Sequence, residues 1–438
     1  MAPRILASAW AQLRHRLHSQ SGKGLIAAAI WQLANYAIPL LTFPYLARVL
    51  GVEGFGLIGL AGAILGYAGL VVDWGFGFSG TRDIARHKDD PAEVRRILWS
   101  IVLAKATLAA ICMLAIVVGA TFVSASLRPV LLASTIYLVT LPFNLEWVLR
   151  GVERLGKFAK GSIIGRLAAV PLVYLLVREP DDVAIAVIAS GMGGVFVAII
   201  YGIELQKLGL LGRPSFDVTQ SWLSFRESFH LFLSTVAISL YTSSIMVVLG
   251  VMSGPAQVGL YAAATRIQTP VRGLLSPISM VFFPRMSALG VSDPERASHL
   301  ARRLLLAQGG FALLLTLALT FAAPLLVTLL LGPGFEDAVP VLRVLAWLIL
   351  LTGISNVTGI MLMIPFDMKR QFTWCLVLGA VVGTTIVFPL THFHGALGAA
   401  FAALASEFVV TTSMLLVVRR RFSWMRLRKK PTDPTGTI

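Results

Sequence analysis

Apolar residues in this chain come in unbroken runs of 17 to 28 positions, and polar residues gather in short stretches between them. The runs do not alternate apolar with polar, so they predict helices rather than barrel strands. A helix needs about 20 apolar residues to cross a bilayer. Twelve runs meet that length, at roughly 24–48, 55–73, 97–120, 129–149, 161–177, 183–203, 228–251, 258–283, 304–331, 339–364, 371–390 and 396–418. The pattern predicts an all-α, polytopic membrane protein with about twelve transmembrane helices.

Composition sharpens that reading. Of 438 residues, 57% are hydrophobic and only 13% charged, with a mean hydropathy of +0.81. Soluble domains carry about 25% charged residues. The net charge of +16 would suggest nucleic acid in a soluble protein, but its placement argues otherwise. Twenty-nine of the 37 Lys and Arg fall in the N-terminal segment, the even-to-odd loops and the C-terminal tail. The positive-inside rule then places both termini in the cytoplasm. The basic excess serves topology and lipid contact, and nucleic acid is not an expected partner. Residues 1–23 carry Arg4, Arg14, Arg16 and Lys23 without an acid, and read as an amphipathic segment on the inner surface. Residues 419–438 read as a basic, lipid-attracted cytoplasmic tail. Cys112 and Cys375 both lie inside runs, which speaks against a structural disulfide.

The chain also repeats itself. Gly54-Phe55-Gly56-Leu57 aligns with Gln257-Val258-Gly259-Leu260 at an offset of 203 residues, and the same offset carries Asp90-Pro91 onto Asp293-Pro294. Two six-helix lobes follow, 24–204 and 227–418, joined by a cytoplasmic linker at 205–226. Six is even, so both halves begin on one side and the repeat is parallel. In the second run Gly59, Gly62, Gly66 and Gly69 form one glycine face, the pattern of close helix packing.

Candidate chemistry lies in the charges that the runs enclose. The stretch from Val258 to Phe283 contains Arg266 and Arg272 and no acid. A guanidinium near the bilayer centre costs about 2.5–3.5 kcal/mol on the most lenient scale, and it cannot shed its proton. Such groups face a polar cavity suited to an anion, or else pair with Asp73, Glu146 or Glu407. Six residues apart, the two arginines point about 120° from each other, which suits a broad cavity wall. Pro270 and Pro277 should bend the same helix. Lys105, Arg166 and Arg343 lie nearer predicted run ends, where long side chains reach the interface. Asp73 stands close enough in sequence to Arg82 to pair with it. Glu146 and Glu407 are candidates for ion coupling or for local salt bridges. Gly75-Phe76-Gly77-Phe78-Ser79-Gly80 matches a dinucleotide fingerprint literally, but it ends an apolar run instead of following a strand. His392 and His394 have no neighbouring Cys or acid to complete a metal site. No cofactor, metal or nucleophile constellation is called for.

The segment Pro44-Tyr45-Leu46-Ala47-Arg48-Val49-Leu50-Gly51-Val52-Glu53-Gly54-Phe55-Gly56 resembles the first helix and hairpin of Wzx-type O-antigen and polysaccharide flippases. Asp73-Trp74-Gly75-Phe76, continuing through Gly80-Thr81-Arg82-Asp83-Ile84-Ala85, is similar to the segment after their second helix. These flippases belong to the multidrug/oligosaccharidyl-lipid/polysaccharide exporter superfamily. The resemblance implies a V-shaped, alternating-access fold in the bacterial inner membrane. It also implies export of undecaprenyl-pyrophosphate-linked sugar units, such as those of lipopolysaccharide, to the periplasmic leaflet. Arg48 enters as part of the matching motif, either in the cavity or as an outer-leaflet anchor.

The expected function is therefore a flippase and not an enzyme. Arg266 and Arg272, with Lys105 or Arg48, would hold the pyrophosphate, and Asp73, Glu146 and Glu407 are the groups available for ion coupling. Expected partners are the lipid-linked oligosaccharide, membrane lipids and polysaccharide polymerase or assembly proteins. One alternative is a drug/cation antiporter of the same superfamily, which would want acids rather than bases deep in the membrane. Another is a membrane polysaccharide polymerase or ligase, which would need a large catalytic outer loop that the sequence lacks.

Overall fold

A computed structural model describes residues 20–214 and 217–421. The amphipathic segment up to residue 19, positions 215–216 of the linker and the tail from 422 lie outside the described residues. The elements are α1 (Gln20–Asp73), α2 (Phe76–Arg86), α3 (Pro91–Gly119), α4 (Leu127–Thr140), a 3₁₀ turn (Leu141–Phe143), α5 (Glu146–Gly151), α6 (Leu155–Leu176) and α7 (Val183–Lys207). They continue as α8 (Val218–Gly273), α9 (Ser276–Ser292), α10 (Pro294–Leu330), α11 (Ala338–Ser355), a π-helical stretch (Asn356–Met363) and α12 (Lys369–Arg421).

Nine of the helical stretches among the described residues are long and apolar enough to cross a membrane. Three of them, those containing α1, α8 and α12, break at a glycine with non-helical backbone: Gly51, Gly254 and Gly395. Each break falls between two of the apolar runs read from the sequence, although the stretch broken at Gly254 begins at Ser244 and takes in only the end of the 228–251 run.

The repeat has a local structural imprint. Gly51 (φ 66, ψ −174) and Gly254 (φ 82, ψ 175) stand 203 residues apart and share a conformation that favours glycine. Asp90 and Asp293 likewise do the same work. Asp90 accepts from the backbone N–H groups of Ala92 and Glu93 at 3.0 and 3.2 Å, and Asp293 accepts from Arg296 N–H at 3.1 Å. Each is followed by proline at the first helical position, where a missing N–H costs nothing. Asp182, just ahead of α7, accepts from the backbone N–H groups of Arg178 and Glu179, and these hold its carboxyl below the usual carboxylate range.

The described residues form two compact units. One holds the residues through Arg266 together with Leu326–Ala338; the other holds Ile267–Leu325 and the residues from Val339. In the first unit, the two repeat-related hairpins of α1 and α8 interlock. A Cβ on Gly56 would overlap the Pro255 carbonyl, and one on Gly259 would overlap the Val52 carbonyl. The two contacts exchange under the 203-residue offset. One turn on, a Cβ on Gly59 would lie 3.1 Å from that of Ala262, its own repeat mate. Gly69 packs beside the Tyr137 ring, whereas Gly62 and Gly66 have nothing within 4 Å. The glycine face is thus a packing face at its ends and bare in the middle.

Trp74 and Gly75 take left-handed conformations (φ 45 and 81), which end α1 and turn the chain into α2. The turn is clamped from the other half of the chain. Trp74 stacks between Phe225 (4.1 Å) and Phe232 (3.9 Å), and its indole N–H donates to the Phe225 carbonyl at 3.1 Å. Beneath α2 lies a core of Phe76, Ile84, Leu98, Ile101 and Trp147. A Cβ on Gly80 would sit 2.7 Å from the Trp147 ring, so the literal dinucleotide motif is spent on helix packing.

The second unit centres on Met286, Ala301, Met361, Met363, Cys375 and Met414 around the π-helical stretch. Gly359 lets the Phe372 ring and the Met414 sulfur approach to 2.7 and 3.0 Å of a built Cβ. The wider π turn re-aims the helix just where Ser355 and Asn356 stand, a device often found at functional sites.

Candidate functional site

Arg266 sits in α8, two turns past the Gly259 crossing, in the first unit. Its guanidinium lies over the Phe55 ring, 5.7 Å from the centroid. Phe55 is fully buried and is itself held by Phe43 at 5.6 Å and Phe335 at 6.2 Å. The cation rests on a fixed aromatic platform, an attraction worth about 0.5–2 kcal/mol. The residue keeps accessible surface although protein closely surrounds it. Among the described residues no carboxylate lies within ion-pair distance of it. Its five N–H donors are therefore available to an incoming anion.

The other candidate cations are already engaged. Lys105 donates to Asp73 at 2.8 Å across 32 residues of sequence. Arg82, the partner suggested for Asp73 by sequence proximity, pairs instead with Asp83 at 2.8 Å and Glu227 at 3.7 Å. Arg48 donates to the Leu329 carbonyl and packs its stem beside Gly332. There it caps the C-terminal end of α10, a favourable place for a cation.

In the second unit, Arg272 lies within electrostatic reach of Glu407, whose carboxylate accepts from the Ser355 hydroxyl at 2.7 Å. One residue on, the Asn356 amide donates to the Ser279 hydroxyl at 2.8 Å. Of the three acids offered for pairing with Arg272, Glu407 is the one in the same unit. On α10, Gln308 is fully buried with neither amide atom bonded among the described residues.

Glu146 pairs with Arg150 one turn along α5. This ion pair, with Arg166 and its acceptor Asn35, belongs to a polar group inside the first unit. Sequence reading assigned Arg166 to the interface. The available signal was Asn35 and Arg166 as polar interruptions of two apolar runs, and packing rotates them face to face. Among the described residues no group of three or more His, Cys, Asp or Glu could hold a metal.

With this geometry in place, comparisons set the family. Residues 21–289 match the family model described as "Polysaccharide biosynthesis protein". A protein of Escherichia coli (strain K12) named "Putative O-antigen transporter" is 33% identical over 410 residues, covering 91% of this chain and 96% of that protein. One of the same name from Shigella dysenteriae is 28% identical, covering 88% and 97%. Among solved structures, the lipid II flippase MurJ in an inward closed conformation matches with a TM-score of 0.70 at 14% identity, covering 90% of this chain and 87% of that one. An inward-facing multidrug resistance MATE family transporter of the MOP superfamily matches with a TM-score of 0.65 at 15% identity, covering 92% and 98%. Likeness at that identity speaks for the fold, a helical membrane transporter fold. The chain belongs to the polysaccharide biosynthesis protein family, the membership that its Wzx-like hairpin motif had implied.

Proposed function

We propose that this protein moves a polyprenyl-pyrophosphate-linked oligosaccharide from the cytoplasmic to the outer leaflet of the bacterial inner membrane. The observation that carries the reading is Arg266: a cation inside a membrane span, accessible, set on Phe55 and lacking a carboxylate partner among the described residues. Transferring one small ion into a medium of low dielectric costs on the order of 20 kcal/mol by the Born estimate. A positive group already placed in the span offsets much of that cost for a pyrophosphate. No covalent bond changes. The basic loops lie in the cytoplasm, and two six-helix lobes, 24–204 and 227–418, alternate access. Glu407 is the acid best placed for ion coupling, because its carboxylate is bonded by the Ser355 hydroxyl and forms no ion pair among the described residues. Asp73 and Glu146 are each held by an adjacent cation. The family and the named relatives support a saccharide-lipid substrate over a cationic drug.

Native mass spectrometry of the purified protein tests this directly. Undecaprenyl-pyrophosphate oligosaccharide should bind and should resist competition by tetraphenylphosphonium. Binding of the lipophilic cation alone would overturn the proposal and favour an antiporter.

A further inference from the structure

The polar group inside the first unit has a different character from the surroundings of Arg266. Asp73, at the end of α1, is held by Lys105 of α3, yet its side chain is 48% exposed while that of Lys105 is 6% exposed. A half-open carboxylate at the end of a membrane span faces water, because facing hydrocarbon would be too costly. Tyr137 of α4 is 41% exposed, and its ring lies 3.6 Å from a Cβ built on Gly69, one helix turn before Asp73. One turn along α4, Thr140 meets Gly194 of α7, and the adjacent Gly193 meets Arg166. The Arg166 guanidinium donates to the Asn35 side-chain oxygen and is only partly covered.

Asp73 and Arg166 are each fixed by one partner, and all three groups keep hydrogen-bonding capacity in reserve. Asp73 retains acceptor sites, Arg166 retains donors, and the Tyr137 hydroxyl can do both. Sugar hydroxyls also donate and accept together, and an aromatic ring offers a sugar its apolar face. The Lys105–Asp73 and Arg150–Glu146 pairs cancel and Arg166 rests on the neutral Asn35, which leaves a group rich in donors and acceptors that suits a hydroxyl-rich ligand.

We infer that Asp73, Tyr137, Asn35 and Arg166 form a saccharide subsite in the first unit, separate from the pyrophosphate contact at Arg266. This rests on the proposed function and assigns part of the substrate to named residues. The subsite selects for the sugar and leaves the charged linkage to the arginine.

The test compares two probes on the full-length protein in nanodiscs. One is undecaprenyl pyrophosphate; the other is the pyrophosphate-linked saccharide lipid extracted from the native host membranes. The wild type should bind the saccharide form about ten-fold more tightly, the scale of one or two hydrogen bonds to charged groups. Tyr137→Leu and Asp73→Asn should each erase most of that increment and leave bare undecaprenyl pyrophosphate within about two-fold of wild type. Retained bare-lipid binding also shows that the variants fold. Equal wild-type affinity for both probes would overturn the subsite while leaving the flippase reading intact, and needs no variant. Wild-type binding of neither probe would overturn both. Parallel loss of both probes in the variants would contradict a separate saccharide subsite.

Discussion

Replacing Arg266 with alanine should weaken binding of the pyrophosphate lipid by about 2–5 kcal/mol, the usual cost of truncating one member of a buried charge contact. The size follows from the surroundings. No carboxylate among the described residues shares the charge, and the Phe55 platform fixes the guanidinium before any ligand arrives. Arg266→Lys should fall between, since it keeps the charge but loses the planar fork and the stacking. Arg272→Ala should cost less, because Glu407 already lies within reach of that cation. Equilibrium binding of undecaprenyl pyrophosphate to the purified variants checks the order. An Arg266→Ala affinity equal to wild type would make the arginine a structural group.

A second large effect is expected at the hairpin crossing. Gly56→Ala and Gly259→Ala each place a methyl group on a backbone carbonyl of the partner hairpin, at Pro255 and Val52 respectively. Backbone cannot step aside as a flexible side chain can. Each change should destabilise the protein by at least the 1–3 kcal/mol or so typical of overpacking, seen as a lower thermal midpoint and loss of transport. Gly62→Ala and Gly66→Ala are internal controls. A Cβ there meets nothing within 4 Å, and alanine favours the helix by about 0.8–1 kcal/mol. Equal sensitivity at all four positions would contradict the crossing.

Those four glycines show where sequence reading stops. The spacing of Gly59, Gly62, Gly66 and Gly69 made one face visible, and the 203-residue offset marked the two hairpins of Gly56 and Gly259 as equivalent. Neither could say which glycines touch something, because that depends on where two helices cross and then diverge. Helix existence was legible for a simple reason: the bilayer demands long apolar runs, and Gly51, Gly254 and Gly395 merely break the continuous stretches that contain them. Charge partners were not legible. Lys105 meets Asp73 across 32 positions, and Glu407 lies within reach of Arg272 across a far longer stretch of chain. Depth in a span can flag such residues as costly. Which acid answers which base is set by helix rotation, and a single sequence carries no record of it. The saccharide subsite was missed for the same reason. Asn35, Tyr137 and Arg166 are scattered over three runs and share no motif.

Translocation itself is the most direct test. Proteoliposomes loaded with the native saccharide lipid would be treated with periodate from outside, which oxidises only sugars in the exposed leaflet. With wild-type protein, the oxidisable fraction should rise above the outer-leaflet share and approach the whole pool, while Arg266→Ala liposomes stay near protein-free controls. A wild-type fraction that remains at the protein-free level, in liposomes that accumulate tetraphenylphosphonium, would contradict the account.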